Sequence, residues 1–341
     1  MGYRVSIVTG SPEQRRAIAS FLASFVRDGE LQSPRPGDDT EGMWEKRMRW
    51  WWDENPYFRE DSPRGFLLEH DEAGLVGFSG LIPFDYELDG ETLPTIVTTT
   101  FFVREEHRSA VMGMLSKQRA LAKHYQIIDG SPSPEMRRLL EKLGYRSAGD
   151  RAQYFFPTKR CGGAAARAFL RGLGWSFPLP TSEEADSFHI VTNPVLWNDF
   201  VPPRDGRIHR RLGSESLGWL SRVGSEKRTF FGLLDVDGKP VAHAIGVYKR
   251  RAGMQACLLL DYREYSSVIP GLPLLLRKLI DDPASGLDPA TGVIVLSLFG
   301  ESSHHEVPGR RVSSILHYQL PPSWQNHPKH CLPVEGDLPL L

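Results

Sequence analysis

Cysteine is scarce in this chain: Cys161, Cys257 and Cys331 are the only three in 341 residues. They are odd in number, form no Cys-x-x-Cys pair and lack metal-ligand spacing. This excludes a disulfide framework and a thiolate zinc site, and it fits a reducing, cytoplasmic setting. No apolar run reaches the roughly eighteen residues of a membrane-spanning helix. The amino terminus lacks the apolar core and small-residue cleavage site of a signal peptide. Neither sign of charge prevails, with 41 Lys plus Arg against 42 Asp plus Glu and a net charge of −1. No basic face is implied, so neither nucleic acid nor a membrane is an expected partner. Glycine-rich dinucleotide, P-loop and Gly-x-Ser-x-Gly spacings are absent as well, which removes the signatures of nucleotide folds and serine hydrolases. His304-His305-Glu306 is the one local cluster with metal-binding chemistry. It has neither helical i, i+4 histidines nor a third ligand, and reads as a solvated loop with no metal.

What is present divides in two. The length suits two domains of about 150 to 170 residues. Tyr3 to Val8 alternates like a strand, which outweighs the loose myristoylation pattern of the first six residues. Ser11-Pro12 caps a helix over 12–27 whose stripe is Ile18, Phe21, Leu22 and Phe25. A second helix, 42–53, precedes Asn55-Pro56 and carries Trp44, Trp50, Trp51 and Trp52. Half of that cluster should be core, yet three consecutive tryptophans cannot all face inward on an α-helix, so at least one is free to line an acceptor pocket. Extended segments 65–70, 74–86 and 94–103 form an antiparallel meander. A helix over 110–124 then leads to a strand at 126–129, which the crossover makes parallel to its neighbour. A helix opened by Pro134 and a hairpin over 145–156 complete the first half. After a Gly-, Ala- and Pro-rich connector the pattern repeats, with strands at 230–236, 240–249, 254–261, 292–298 and 312–320 and a helix at 271–281.

The most informative segment joins the strand ending at Val103 to the next helix through Arg104-Glu105-Glu106-His107-Arg108-Ser109-Ala110-Val111-Met112-Gly113. A strand running into a helix through a tight turn aims unpaired backbone N–H groups at the helix N-terminus, where the macrodipole also favours an anion such as a pyrophosphate. With the later Leu139-Leu140-Glu141-Lys142-Leu143-Gly144-Tyr145, this turn resembles the acyl-CoA-binding half of the GNAT superfamily of CoA-dependent N-acyltransferases. The resemblance covers residues 1 to about 157. Arg108 and Gly113 match the family's turn, while Val111 stands where its first glycine belongs. The second half has no such turn after Asp261, where Tyr262 to Gly271 intervene. The whole chain looks like a tandem GNAT protein.

The resemblance implies an α/β fold of the α+β mixed-sheet kind: two tandem domains, each a mostly antiparallel sheet with a parallel central pair flanked by helices. Their expected bounds are 1–157, a linker at 158–187, 188–325, and a tail at 326–341. It implies an acyl-CoA co-substrate, most simply acetyl-CoA, held by Phe102, Val103, Arg108, Ser109, Ala110, Val111, Met112 and Gly113. The acyl group would pass to a small-molecule amine by direct attack in a ternary complex, in a monomer or homodimer. The family's usual tyrosine acid is replaced by Leu140. Tyr125 and Tyr154, with Tyr145 and Tyr86 behind them, stand near strand ends as substitutes, and Glu106 and Asp129 are the candidate bases. The alternatives are an inactive GNAT-fold scaffold, and a transferase using a non-CoA thioester or an aminoacyl donor.

Overall fold

A computed structural model describes residues 2–31, 34–130, 132–159, 178–197, 206–222, 226–251, 254–266, 268–299, 310–313 and 316–329. In chain order its first half holds β1 (Tyr3–Ile7), α1 (Pro12–Arg27), α2 (Glu41–Met48), β2 (Gly65–His70), β3 (Gly74–Leu88), β4 (Glu91–Val103), α3 (Val111–Leu121), β5 (Gln126–Asp129), α4 (Pro134–Lys142), β6 (Arg146–Ser147) and β7 (Asp150–Pro157). There follow α5 (Ser182–Asp186), β8 (His189–Val191), β9 (His209–Arg210), α6 (Ser214–Leu220), β10 (Arg228–Leu234), β11 (Pro240–Arg251), β12 (Met254–Glu264), α7 (Gly271–Asp281), β13 (Thr291–Phe299), β14 (Arg310–Ser313) and β15 (His317–Gln319). Among the described residues no helix is long and apolar enough to cross a membrane. No group of three His, Cys, Asp or Glu side chains stands ready for a metal among them either. His304-His305-Glu306, Cys161 and Cys331 lie outside the described residues.

The class is mixed α/β, as expected. Two sheets run β1-β2-β3-β4-β5-β15-β6, with β9 on β3, and β8-β10-β11-β12-β13-β7-β14. In each, only the central pair is parallel: β4 with β5 and β12 with β13. The two orders correspond strand for strand, with one exchange. The expected hairpin over 145–156 does not form, because β6 pairs with β15 while β7 crosses to the second sheet between β13 and β14. Likewise the expected strand 312–320 divides into β14 of the second sheet and β15 of the first. Strand β7 therefore leaves the 1–157 unit and β15 leaves the 188–325 unit. Gly149, at φ 75, is where the chain turns away after β6.

The face of the first sheet toward α3 and α4 has its own core around Phe66, Ile96, Met114 and Leu140. The opposite face shares one core with the second half, running from α1 through the tryptophans to Trp219, Phe230 and Leu275. All of Trp44, Trp50, Trp51 and Trp52 are buried, at 6% exposure or less. The expectation of a surface tryptophan fails for two reasons. Arg49–Asp53 forms a π-helical turn, whose wider spacing turns successive side chains inward. The second half also covers what would otherwise be open, with the Trp219 indole N–H donating to the Trp50 carbonyl at 3.1 Å. The Trp52 indole donates to Leu81 O at 3.0 Å and that of Trp44 to Asp38 O at 2.7 Å, so the buried polar atoms of both are satisfied.

Candidate functional site

The parallel pair at the centre of the first sheet opens into a V. Its last ladder partners are Thr98 and Asp129, after which β4 runs on to Val103 beside β3 alone. The cause is a bulge: Phe78 pairs with Phe102 and Gly80 with Thr99, so Thr100 and Phe101 together oppose Ser79. Thr100 sits at φ 47, a left-handed conformation that a β-branched residue adopts only at a cost of about 1–3 kcal/mol. The side chains of Thr99 and Thr100 lean over Gly80, where an added Cβ would stand 2.8 Å from Thr99 Cγ2 and 3.0 Å from Thr100 Oγ1. Both threonine hydroxyls are buried without a hydrogen-bond partner. Leaving a buried hydroxyl unpaired costs about 1–3 kcal/mol. Strain, a bulge and two unmet buried hydroxyls thus coincide in β4, over Gly80 of β3 and next to the point where the V opens. The family resemblance implies a carbonyl-polarising bulge within Thr98 to Val103, and the run Thr98-Thr99-Thr100 lies at its start, but nothing in the sequence singles out Gly80 or the hydroxyls of Thr99 and Thr100.

Of the expected bases, Asp129 closes β5 at the mouth of the V, half-buried and in register with His317 on its other side. Glu106 is exposed in the connection that follows β4. The tyrosines are scattered. Tyr125 precedes β5 at the opposite end from Asp129, and burial, then Asp61, raises its phenol above the usual value. Tyr154 is fully buried in the middle of the second sheet, in register with Leu296, because β7 has crossed over. Tyr86 is buried at the contact between β3 and β9. Tyr145 accepts a hydrogen bond from Gln118 Nε2 at 3.3 Å, and burial drives its phenol far up. Of the four, Tyr145 is close enough to the mouth of the V for the Asp129 charge to act on it.

The turn differs from the expected open loop. Residues Glu105–Ala110 form a 3₁₀ helix that runs straight into α3, so from His107, which donates to Arg104 O at 2.9 Å, to Val111, which donates to Arg108 O, its N–H groups are engaged within the chain. Val111 and Ala110 pack on the core beneath α3. The small size of Gly113 is accounted for by β1, since a Cβ there would lie 3.1 Å from Val5 Cγ2. Ser109 and Met112 are exposed, while Phe102 stacks on Phe25 of α1 at 4.8 Å and Val103 is core. Arg104 ties the connection to α1 through Ser24 Oγ at 2.7 Å, Asp28 at 2.7 Å and Glu30. Arg108, with only a 3.8 Å contact to Glu105, keeps an exposed guanidinium at the head of α3. The turn offers a pyrophosphate the Arg108 cation in place of an open nest of N–H groups.

The second sheet carries the same opening, and it is filled. After Leu258 and Val295 the ladder between β12 and β13 ends, but the Tyr262 hydroxyl crosses to Ser297 O at 3.0 Å. At the start of α7 the Leu272 N–H is taken by Glu264 Oε1 at 2.9 Å, and a Cβ on Gly271 would meet Val241 O at 2.8 Å. No comparable cradle exists there among the described residues.

No family model matches the sequence, and no curated protein matches it. Solved structures do. A GCN5-related N-acetyltransferase from Anabaena variabilis is 12% identical with a TM-score of 0.56, over 92% of this chain and 72% of that one. A probable N-acyltransferase from Enterococcus faecalis is 12% identical with a TM-score of 0.58, over 95% and 74%. Eis1 from Mycobacterium abscessus is 13% identical with a TM-score of 0.52, over 94% and 74%. The chain therefore has the fold of the GCN5-related N-acetyltransferases.

Proposed function

We propose that this chain transfers an acyl group from a CoA thioester to a small-molecule amine, by direct attack within a ternary complex in the V of the first sheet. The observation that carries this reading is the strained bulge at Thr100 with the unpartnered hydroxyls of Thr99 and Thr100. Donors aimed at a carbonyl oxygen stabilise the charge that develops as the amine adds, and they act best when already fixed. A bulge held in place by Gly80 and by the core under Phe102 is fixed in this sense. Bound acyl-CoA would supply the activated thioester. Thr99 and Thr100 would orient its carbonyl while Asp129 at the mouth of the V takes the proton from the amine; as the new C–N bond forms the C–S bond breaks, CoA leaves as the thiol carrying that proton, and Arg108 meets the phosphates.

A thermal shift tests the reading. Acetyl-CoA at a hundred times its dissociation constant should stabilise the protein by about 2.7 kcal/mol. Gly80→Ala, which drives a Cβ into both threonines, should abolish that shift. Thr100→Gly relieves the left-handed strain and removes one unmet hydroxyl, so it should raise stability by about 1 kcal/mol while weakening acetyl-CoA binding. A wild-type protein indifferent to acetyl-CoA, free CoA and longer acyl-CoAs would refute the proposal.

A further inference from the structure

A second, separate cavity lies in the other half of the molecule. It has a volume of about 430 Å³ and is bounded by α6, the turn Pro194–Trp197 and the start of β10. Two arginines reach it, Arg222 from the end of α6 and Arg228 from β10. Arg228 Nη1 donates to the Leu220 carbonyl at 2.9 Å, while its Nε is buried with no partner. Burial pushes this guanidinium down to about 10. Glu226, whose charge reaches Arg228, is engaged with Lys249 at 3.1 Å. Among the described residues neither Arg222 nor Arg228 has a carboxylate within salt-bridge distance. A poorly hydrated cation without a counterion is costly, and an incoming anion offsets that cost.

The rest of the lining limits what the anion is. Glu215 faces the same cavity, and Glu226 and Arg35 also act on Arg228, so three cations against two carboxylates leave a net charge of +1, suited to a monoanion and unfavourable to a dianionic phosphate. Pro194, Val195 and Phe230 make one side apolar. Gly218 keeps the middle of the α6 face bare: a Cβ there would come 3.3 Å from Arg222 Nη1 and 4.0 Å from Pro194 Cγ. A guanidinium fork beside an apolar wall is the usual arrangement for holding a carboxylate on an apolar body.

We propose that this cavity is a binding site for a small organic monocarboxylate, its carboxylate on Arg228 and Arg222 and its apolar part against Val195 and Phe230. The site is independent of the thioester cradle and stands whether or not acetyl-CoA binds. Calorimetry on the full chain with benzoate, benzamide and inorganic phosphate tests it. Benzoate should bind, and neither neutral benzamide nor phosphate should match it. Arg228→Gln should weaken benzoate by roughly ten- to a hundredfold, the effect of losing a charge-assisted hydrogen bond. Because Arg228 also ties down the end of α6, a second variant is needed. Gly218→Leu places a good helix former in α6 and fills the cavity, so it should abolish binding with no loss of melting temperature. Absence of benzoate binding to the wild-type protein, equal binding of benzamide or phosphate, or unchanged benzoate affinity in both variants would overturn the proposal.

Discussion

Arg210→Leu is expected to destabilise the folded chain by about 3–5 kcal/mol, the usual effect of removing one partner from a buried ion pair. Arg210 lies on β9, which pairs with β3 of the first sheet, yet its guanidinium meets Asp261 on β12 of the second. Both side chains are essentially inaccessible, at 1% and 0% exposure. Arg263 donates to the Arg210 carbonyl at 2.6 Å, His243 Nε2 lies 3.6 Å from the same Asp261 carboxylate, and His243 Nδ1 is 2.6 Å from the Tyr265 hydroxyl. Without Arg210, Asp261 is left as a buried carboxylate that has lost its nearest cation. The double variant Arg210→Leu/Asp261→Leu should recover most of the loss, because it removes both charges. Urea unfolding measures all three proteins, and a single-variant loss below about 1 kcal/mol would contradict a buried Arg210–Asp261 ion pair.

The same cluster sets a pH dependence. Burial would raise Asp261, but Arg210, His243 and Arg263 outweigh it and hold its carboxyl well below the ordinary range. Burial depresses the His243 imidazole, and Asp261 only partly opposes this. For both groups the unfolded chain takes up protons more readily than the folded one, so stability rises with pH. It should be full above about pH 6.5, decline first as the unfolded-state histidine protonates, and fall again below about pH 4 as the unfolded-state carboxylate does. Asp261→Asn should remove the lower step.

Trp51→Ala should cost about 3–5 kcal/mol, while Trp51→Phe should cost clearly less. Trp51 has no exposed surface and lies edge-on to Trp52 at 6.3 Å within the π turn. Removing its indole opens a large void in the core shared by the two halves, which side-chain shifts close only in part. A loss under about 1.5 kcal/mol for the alanine variant would mean that the three tryptophans do not pack inward together.

Much of the first half was legible because its signals are local. Ser11 caps α1, its hydroxyl accepting from the Gln14 N–H at 3.2 Å, and Ser133 serves α4 in the same way. Strand alternation located β2 to β5, and the β4–α3–β5 crossover foretold the single parallel pair. The conformation of the turn after β4 was not legible for a related reason. Arg108 and Gly113 stand at the right spacing, but whether the intervening N–H groups stay free depends on a 3₁₀ helix, and spacing does not encode that. Val111, which departs from the family's turn, packs on the core beneath α3, and Gly113, which matches it, lies against Val5.

By itself the sequence determined the mixed class and the repetition of one strand order. Only the tertiary structure decided that β7 and β15 trade sheets, that Tyr154 leaves the first site with β7, that three consecutive tryptophans all turn inward, and that an arginine of one half pairs with an aspartate of the other. A period of two shows that a strand has a buried face without naming the strand beside it. That choice rests on contacts between residues far apart in the chain, where packing and charge burial, rather than local propensity, select the partner.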